Sequence, residues 1–166
     1  AKVKDATIHK AVIIDTQKSI FEAAQIIKKE KVPTVLLKDE NGEMYIVTDS
    51  DFRQKVILNR MDFDEKIVKI ATKGLVYVNE DDFLFNAQLI MAKHGLKRVV
   101  VKNDKDEIIG ILDQISLSSF FATNIFSVSN KIVKAETVEE LKEASLSFIK
   151  IIILLYIHFL IIDRHN

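Results

Sequence analysis

The sequence repeats itself with a period of 64 residues, and this repeat constrains the fold more than any other feature. Between positions 12 and 50, nine residues are identical to the residue 64 positions later, among them Phe21 with Phe85 and Asp49 with Asp113. The order of apolar positions agrees as well. Two copies of one supersecondary unit are expected to share one fold and to cover each other's apolar faces, because a unit of about 50 residues buries little surface alone.

Each copy is predicted to fold as strand, helix, strand, strand and helix. In the first copy, apolar spacing predicts a helix over residues 19–30, and Pro33 disfavours its continuation. Asn41-Gly42 predicts a two-residue hairpin, whereas the second copy lacks this pair and its hairpin is expected to be one residue longer. The predicted strands and closing helix are 11–14, 35–37, 44–48 and 49–58 in the first copy. In the second copy the elements are 75–78, 82–94, 99–101, 108–112 and a helix from about 113.

Charge and cysteine content exclude several classes of protein. Lysine and arginine total 24, equal to the 24 aspartates and glutamates, so the chain lacks the basic surplus of a nucleic-acid-binding protein. Without cysteine there is no disulfide, thiolate metal site or cysteine nucleophile. No metal-ligand spacing and no phosphate-binding or nucleophile motif occurs, so we expect neither a metal site nor an enzyme. The start lacks methionine and a signal peptide, which predicts a cytoplasmic segment of a longer protein.

One motif stands where the last strand of each copy runs into its closing helix. In the first copy it is Tyr-Ile-Val-Thr-Asp-Ser-Asp at 45–51, and in the second Gly-Ile-Leu-Asp-Gln-Ile-Ser at 110–116. With these two motifs in tandem, the chain resembles a pair of CBS domains, named after cystathionine beta-synthase. The family pattern is Gly, two aliphatic residues, Thr, two variable residues and Asp. The residues that match it are Thr48, Asp51 and Gly110, and those that depart from it are Tyr45, Asp113 and Ser116.

The resemblance implies a mixed α/β (α+β) fold and a regulatory role. Two β-α-β-β-α repeats would pack as a pseudo-twofold module, with a helical extension at the C-terminus. The predicted boundaries are 8–58 for repeat 1, 59–74 for a linker, 75–121 for repeat 2 and 122–166 for the extension. Related pairs accompany a nucleotidyltransferase in bacterial signalling proteins and bind adenine nucleotides, so AMP, ADP or ATP is the expected ligand.

The resemblance also implies which side chains would hold that nucleotide. Asp51 would accept hydrogen bonds from both ribose hydroxyls, with Thr48 beside it, because a carboxylate binds paired hydroxyls strongly. Aliphatic walls would enclose the adenine, and cations would meet the phosphates. The predicted walls are Val12, Ile14, Val32 and Pro33, and the predicted cations are Arg53, Lys97 and Arg98.

Several other interpretations of these residues stay open. Thr48 and Asp51 also suit a helix cap, and the cations suit a solvated surface. Tyr45 either crowds the cleft or stacks on a base, and Asp49 with Asp51 resembles a magnesium pair without a third acid. If the clefts have decayed, the module is a structural dimerisation unit with no ligand.

The tail beyond the repeats is predicted to be a helix that needs cover. Thr137 and Glu140 form a capping-box pattern that opens it. Residues 148–162 are apolar on every face, but fifteen helical residues span about 22 Å, short of a hydrocarbon core of roughly 30 Å. Burial by a partner chain or by another domain is therefore favoured over a membrane span. We expect a homodimer that covers this tail and the apolar cluster Phe120, Phe121, Ile125 and Phe126.

Overall fold

The computed structural model describes the backbone of residues 1–163 and the side chains of residues 1–160. The chain divides into two compact units. The first unit is His9–Val76, and the second combines Ala1–Ile8 with Tyr77–Asn166. Each unit has its own sheet and helices, which confirms the mixed α+β class. Residues 164–166 of the predicted extension lie outside the described part.

The first unit is a four-stranded sheet, in the order β1-β2-β3-β4, with helices at its connections. Strands β1 and β2 are parallel, and the other two pairings are antiparallel. The elements are β1 (Ile13–Asp15), α1 (Ile20–Glu30), β2 (Thr34–Lys38), β3 (Met44–Thr48), α2 (Asp49–Asp51), a π-helical segment (Phe52–Ile57), a 3-10 turn (Ile67–Ile70) and β4 (Thr72–Lys73).

Helix α1 shows why these residues form these elements. Ser19 accepts from the backbone N–H of Glu22, and the Glu22 carboxylate accepts from the N–H of Ser19, so both donors at the helix start are satisfied. Ile20 and Ala23 face a core that also contains Val35 and Leu37 of β2. Burying apolar side chains on both the helix and the strand is what joins these two layers.

The second unit is a three-stranded sheet, β5-β6-β7, followed by two long helices. Helix α3 begins two residues later than the predicted position 82, because the Asp82 carboxylate accepts from the N–H of Asn79 and closes a turn there. The elements are β5 (Tyr77–Asn79), α3 (Leu84–His94), β6 (Arg98–Lys102), β7 (Ile108–Asp113), α4 (Gln114–Lys134) and α5 (Val138–Asp163).

The two hairpins have the same length, which corrects the prediction of a longer loop in the second copy. In the first, the N–H of Asp39 donates to the carbonyl of Glu43, and in the second Asn103 donates to Glu107, 64 residues later. Each therefore encloses three residues, so the two-residue turn expected at Asn41-Gly42 is also wrong. The third loop residue has positive φ in both, +80° at Gly42 and +63° at Asp106, as a three-residue hairpin requires.

The extra residue of the second copy lies in strand β7 instead of the hairpin. Lys102 pairs with Ile108, but Val101 pairs with Gly110, so Ile109 is a β-bulge. Beyond this point the repeat period is 65. The structural equivalent of Thr48 is therefore Asp113, and the identity of Asp49 with Asp113 at period 64 is coincidental.

The segment predicted as a linker, residues 59–74, is part of the first unit. Ile67 and Ile70 are fully buried in its core, and β4 extends its sheet. The N-H of Ile20 donates to the carbonyl of Glu65, which attaches the segment to the start of α1. Charged residues surround Ile67 and Ile70 in the sequence, so the composition of the segment predicted an exposed linker and not two core positions.

The first residues of the chain belong to the second unit. Val3 is fully buried, and its N–H donates to the carbonyl of Asp82. Asp81 bridges the ammonium groups of Lys2 and Lys4 at 2.8 and 2.7 Å. These lysines lower the pKa of Asp81 to about 2. The segment thus covers the start of α3.

The tail forms α5 and packs along α4. As predicted, the N–H of Glu140 donates to Thr137 Oγ1, and the Glu140 carboxylate accepts from the N–H of Thr137. Helix α4 runs unbroken across the predicted boundary at 121/122. By its length and composition, α5 could cross a membrane over Val138–Leu160. Only 17% of the most apolar stretch of this helix is buried. The single chain thus leaves most of this stretch exposed, and its cover by a partner chain or by another domain stays a prediction.

Candidate functional site

The corner between β3 and α2 holds Thr48 and Asp51 in contact. Asp51 Oδ2 accepts from the backbone N–H of Thr48 at 2.9 Å and from Thr48 Oγ1 at 3.2 Å. Thr48 is thus the N-cap of α2, and Asp51 stands at the third helical position. The carboxylate also complements the positive end of the helical segment. The structure therefore joins the two predicted ligand residues through a cap.

The second oxygen of Asp51 faces a lysine. Lys55 Nζ lies 2.9 Å from Asp51 Oδ1 and donates to the carbonyl of Ile70 at 2.8 Å. The Asp51 side chain is 14% exposed and that of Lys55 is 41% exposed. Lys55 was not predicted from the sequence, although its spacing of four residues from Asp51 on a helix is the usual signal for an ion pair. The corner thus contains one carboxylate with one accessible cation.

The predicted apolar walls divide into core and surface. Val32 is buried, and Val12 and Ile14 pack against the same core as it does. Pro33 is exposed and lines a different feature, an open cavity of about 220 Å³. That cavity is also lined by Ala24, Ile27, Asp49 and Phe52. It lies at the end of α1, beside the first turn of α2.

The predicted cations are not all at this corner. Arg53 is 67% exposed, and its guanidinium lies 4.0 Å from the Asp49 carboxylate. Lys97 and Arg98 belong to the second unit, where Arg98 pairs with Asp113 across β6 and β7. Lys97 is exposed, and its carbonyl accepts from the N–H of Gln114. Within their own unit, these two residues therefore lie beside the second motif.

The second motif forms the equivalent corner with the capping roles exchanged. Asp113 is the N-cap of α4, and its Oδ1 accepts from the N–H of Ser116 at 2.7 Å. Asp113 is 5% exposed and Ser116 is 3% exposed. In the first unit the carboxylate is at the third helical position, whereas here it is at the cap itself. The carboxylate of the second corner is thus a buried cap, whereas the Asp51 side chain is 14% exposed.

Tyr45 occupies the place where the family pattern has glycine. Its hydroxyl donates to Asp39 Oδ2 at 3.3 Å, and its ring packs against the core of the first unit. In the second unit the equivalent residue, Gly110, is buried. The Tyr45 ring is therefore engaged within its own unit.

Among the described residues, no group of three His, Asp or Glu side chains lies close enough to hold a metal ion. Asp49 and Asp51 are on the same turn, but Asp51 is paired with Lys55. A cation at this point would compete with an ammonium group. The geometry does not fit the magnesium pair that the spacing resembles.

Comparison with known proteins identifies the family. The family model described as CBS domain matches residues 67–122. The uncharacterized protein YlbB of Bacillus subtilis is 33% identical over 123 residues, which are 70% of this chain and 81% of YlbB. The chain belongs to the CBS domain family. The match begins inside the predicted linker, at the buried turn that precedes β4.

Two solved CBS structures share the fold. The CBS domain protein PAE2072 from Pyrobaculum aerophilum, complexed with AMP, is 22% identical, with a TM-score of 0.61 over 70% of this chain and 90% of that one. The CBS domain pair of protein MJ0100, in complex with 5'-methylthioadenosine and S-adenosyl-L-methionine, is 25% identical. Its TM-score is 0.60 over 73% of this chain and 99% of that chain. Both proteins thus bind adenosine-containing molecules.

Other curated relatives are much longer than the matched region. The chain spans 23% of L-aspartate semialdehyde sulfurtransferase of Methanocaldococcus jannaschii, to which it is 26% identical over 120 residues. In this relative the CBS-like region accompanies other sequence. CBS domains are typically regulatory, and enzyme names among the relatives belong to such larger proteins.

Proposed function

We propose that this chain is a regulatory CBS module that binds an adenosine-containing ligand at the corner formed by Thr48 and Asp51. The observation that carries the proposal is the Asp51 carboxylate, which a cap holds in place while its Oδ1 faces a lysine. The ligands of PAE2072 and of MJ0100 support the ligand class. The candidate ligands are therefore AMP, ADP, ATP, 5'-methylthioadenosine and S-adenosyl-L-methionine.

Binding would change the partners of Asp51 Oδ1 while leaving the cap in place. A ribose has two neighbouring hydroxyl donors, and either can replace the Lys55 ammonium at Oδ1. Hydrogen bonds to a charged group contribute about 1.5–3 kcal/mol each. The displaced ammonium and the Arg53 guanidinium would then be available to a phosphate or carboxylate of the ligand. In the proposal, Val12, Ile14, Val32 and Pro33 supply the apolar boundary.

A thermal-shift panel tests ligand binding. The wild-type chain is melted with each of the five ligands, and with guanosine monophosphate as the control. A ligand at 100 times its dissociation constant adds about 2.7 kcal/mol to the stability of the folded state. We expect at least one adenosine ligand to raise Tm by several degrees and the guanosine control to leave it unchanged. Equal shifts with both bases, or none, contradict the proposal.

We also propose that the ligand controls domains joined to this module in a longer cytoplasmic protein. A nucleotidyltransferase is the attached activity implied by the resemblance. The supporting observation is that CBS regions form a small share of most curated relatives. The test is the activity of the longer protein with and without the ligand that the panel identifies. An unchanged activity at saturating ligand contradicts control while leaving binding intact.

A structural module without ligand is the second candidate function. It is favoured by the closed state of both corners, because Asp51 has polar partners at both oxygens and Asp113 is buried as a cap. In this case the motif of each copy serves only to start a helix. Failure of every ligand in the panel, with normal assembly, supports this candidate.

A further inference from the structure

Helix α5 covers a groove between α3 and α4 of the second unit. On the α3 side, the Gln88 side chain donates to the carbonyl of Leu154 at 3.1 Å. On the α4 side, Ser118 Oγ lies 2.6 Å from His158 Nε2, and the rings of Phe121 and His158 are 5.7 Å apart. Gln88 and Phe121 are fully buried. The second repeat thus has a third helix that covers the outer side of its helix pair.

The repeat identifies the equivalent groove in the first unit. Before the bulge the period is 64, so Ala24 occupies the position of Gln88. After the bulge the period is 65, so Val56 occupies the position of Phe121. The equivalent groove, which we call the first-unit groove, therefore lies between α1 and the π-helical segment. The described elements of His9–Val76 end at β4, so this unit contains no equivalent of α5.

The first-unit groove is open and apolar. It contains two open cavities of about 220 Å³ each, which share Ala24 and Phe52 in their linings. Phe52 is half-buried, whereas its equivalent in the second unit, Leu117, is fully buried. Phe21 and Ile57 line the first cavity and are 53% and 66% exposed. Adjoining exposed apolar side chains of this kind mark an interaction surface.

The form of the groove fits an α-helix better than a small molecule. Every residue that lines the first cavity is apolar, and a site for a small molecule needs a few polar groups that fix its orientation. Ala24 stands where the two cavities meet, and a small side chain at that point allows the axis of an added helix to come close. A helix that lies in a groove presents apolar side chains every three or four residues, which can fill successive cavities.

The rim at one end of the groove indicates the charge of the partner. Phe63 lines the first cavity, is 59% exposed and lies between Asp62 and Asp64, which are both exposed. The N–H of Asp64 donates to Asp62 Oδ1, which keeps the two residues in one turn. The nearby Lys66 donates to Gln17. A helix with lysine or arginine at this end would complement the two carboxylates, whereas an anionic lipid surface would be repelled.

We propose that the first-unit groove binds an amphipathic α-helix of a different protein. The apolar stripe of that helix fills the two cavities, and its basic end lies beside Asp62 and Asp64. The second unit carries its covering helix in the same chain, and the first unit obtains the equivalent helix from a partner. This docking does not depend on ligand binding at Asp51.

Peptide binding tests the proposal directly. The probe is a fluorescein-labelled peptide of about three heptads, with leucines in one stripe and lysines at one end. A scrambled peptide of the same composition, whose leucines form no stripe, is the control. We expect the full chain to raise the fluorescence anisotropy of the probe with a Kd below about 100 µM, and to leave that of the control unchanged. Equal binding of both peptides, or no binding of the probe, overturns the proposal.

Two adjacent substitutions on α1 locate the bound peptide. Ala24→Arg places a long side chain where the two cavities meet, whereas Gln25→Arg adds the same group at an exposed neighbour. Ala24→Arg should weaken probe binding about tenfold or more, and Gln25→Arg should change it by no more than about twofold. Circular dichroism checks that both variants fold. Ile57→Ser on the opposite wall, at a 66% exposed position, provides the same test if Ala24→Arg does not fold. Equal effects of Ala24→Arg and Gln25→Arg contradict the assignment.

The charge of the rim has its own test. Replacing both Asp62 and Asp64 with asparagine should weaken binding of the lysine-ended probe and reduce the dependence of its Kd on salt. A probe with glutamates in place of the lysines should bind the wild type more weakly. If the glutamate probe binds equally well, the partner is not a helix with a basic end.

Sedimentation of the chain without peptide distinguishes a different protein from a second copy. If a different protein occupies the groove, Ala24→Arg and Gln25→Arg should sediment alike and like the wild type. If Ala24→Arg alone dissociates an assembly of the wild-type chain, a second copy fills the first-unit groove and the proposal is wrong.

Discussion

The two oxygens of the Asp51 carboxylate have different partners, and a single substitution can separate their roles. Asp51→Asn keeps one oxygen to accept from the N–H of Thr48 but removes the charge that faces Lys55. We expect adenosine-ligand affinity to fall about tenfold or more, since a lost charge-assisted hydrogen bond is worth about 1.5–3 kcal/mol. Isothermal titration calorimetry measures the affinity, and the melting temperature should stay close to that of the wild type.

Asp49→Asn is the control for this experiment, because Asp49 lies on the same turn with its side chain 65% exposed. It should leave affinity within about twofold. A drop in Tm for Asp51→Asn without loss of affinity would make Asp51 a structural cap. Asp51→Ala is less informative, because it removes the cap and the charge together.

Asp113 is expected to matter for stability rather than for binding. Its Oδ1 accepts from the N–H of Ser116 at the start of α4, and the residue is buried. Replacing such a cap with alanine costs about 0.5–2 kcal/mol. Asp113→Ala should lower the urea midpoint, while Asp113→Asn, which keeps an accepting oxygen, should restore most of the loss. If both variants lower ligand affinity equally with Asp51→Asn, the assignment of the two corners is wrong.

At the scale of elements, the contact between α4 and α5 is sensitive to pH through His158. Burial lowers the pKa of His158 below its ordinary value of 6.5, and its Nδ1 is buried without a hydrogen-bond partner among the described residues. The unfolded chain therefore binds a proton more readily than the folded chain once the pH drops below 6.5. Stability should fall by up to about 1.4 kcal/mol per pH unit below that point, until the folded-state pKa is reached.

Urea unfolding at pH 7.5 and at pH 5.5 measures this effect. The wild type should lose more stability between the two values than His158→Gln, which does not titrate. His94→Gln is the matched control, because His94 is exposed at the end of α3. If His158→Gln and the wild type lose the same stability, the buried imidazole is not the source.

The segment after the first repeat should prove essential to the stability of the first unit. Ile70 is fully buried, so Ile70→Ala leaves a cavity and is expected to cost about 2–5 kcal/mol. Lys69→Ala, its exposed neighbour, should change stability by no more than about 0.5 kcal/mol. Denaturant unfolding compares the two variants. If Ile70→Ala changed the free energy of unfolding only slightly, residues 59–74 would instead be a linker that does not contribute to the core.

Sequence patterns predicted the helices and strands better than they predicted the contacts between residues distant in the sequence. Helix α1 and strand β3 were predicted closely, because helical spacing and β-branched runs are local signals. The position of the bulge at Ile109 could not be predicted. An added residue in the hairpin and an added residue in strand β7 lengthen the sequence between β6 and the second motif equally. Ile67 and Ile70 were hidden among charges. At the site, the cap of Thr48 and Asp51 was foreseen as an alternative, but the Lys55 contact was not.

For the whole molecule, the two corners predict an unequal response to ligand. The first presents a carboxylate whose Oδ1 is paired with a partly exposed lysine, and the second presents a buried cap. We expect calorimetry to give about one bound adenosine ligand per chain, lost in Asp51→Asn. A stoichiometry of two, or one that persists in Asp51→Asn, would show that the second corner binds.

The pairing of residues 1–8 with the start of α3 affects the order in which parts of the chain can fold while the protein is synthesised. Their hydrogen-bond partners at Glu80 and Asp82 are synthesised more than seventy residues later, which at 5–20 residues per second is a delay of roughly 4–15 s. During that interval the ribosome completes the whole of His9–Val76. The first unit can therefore fold during translation, while the earliest residues wait for a sheet that is finished last.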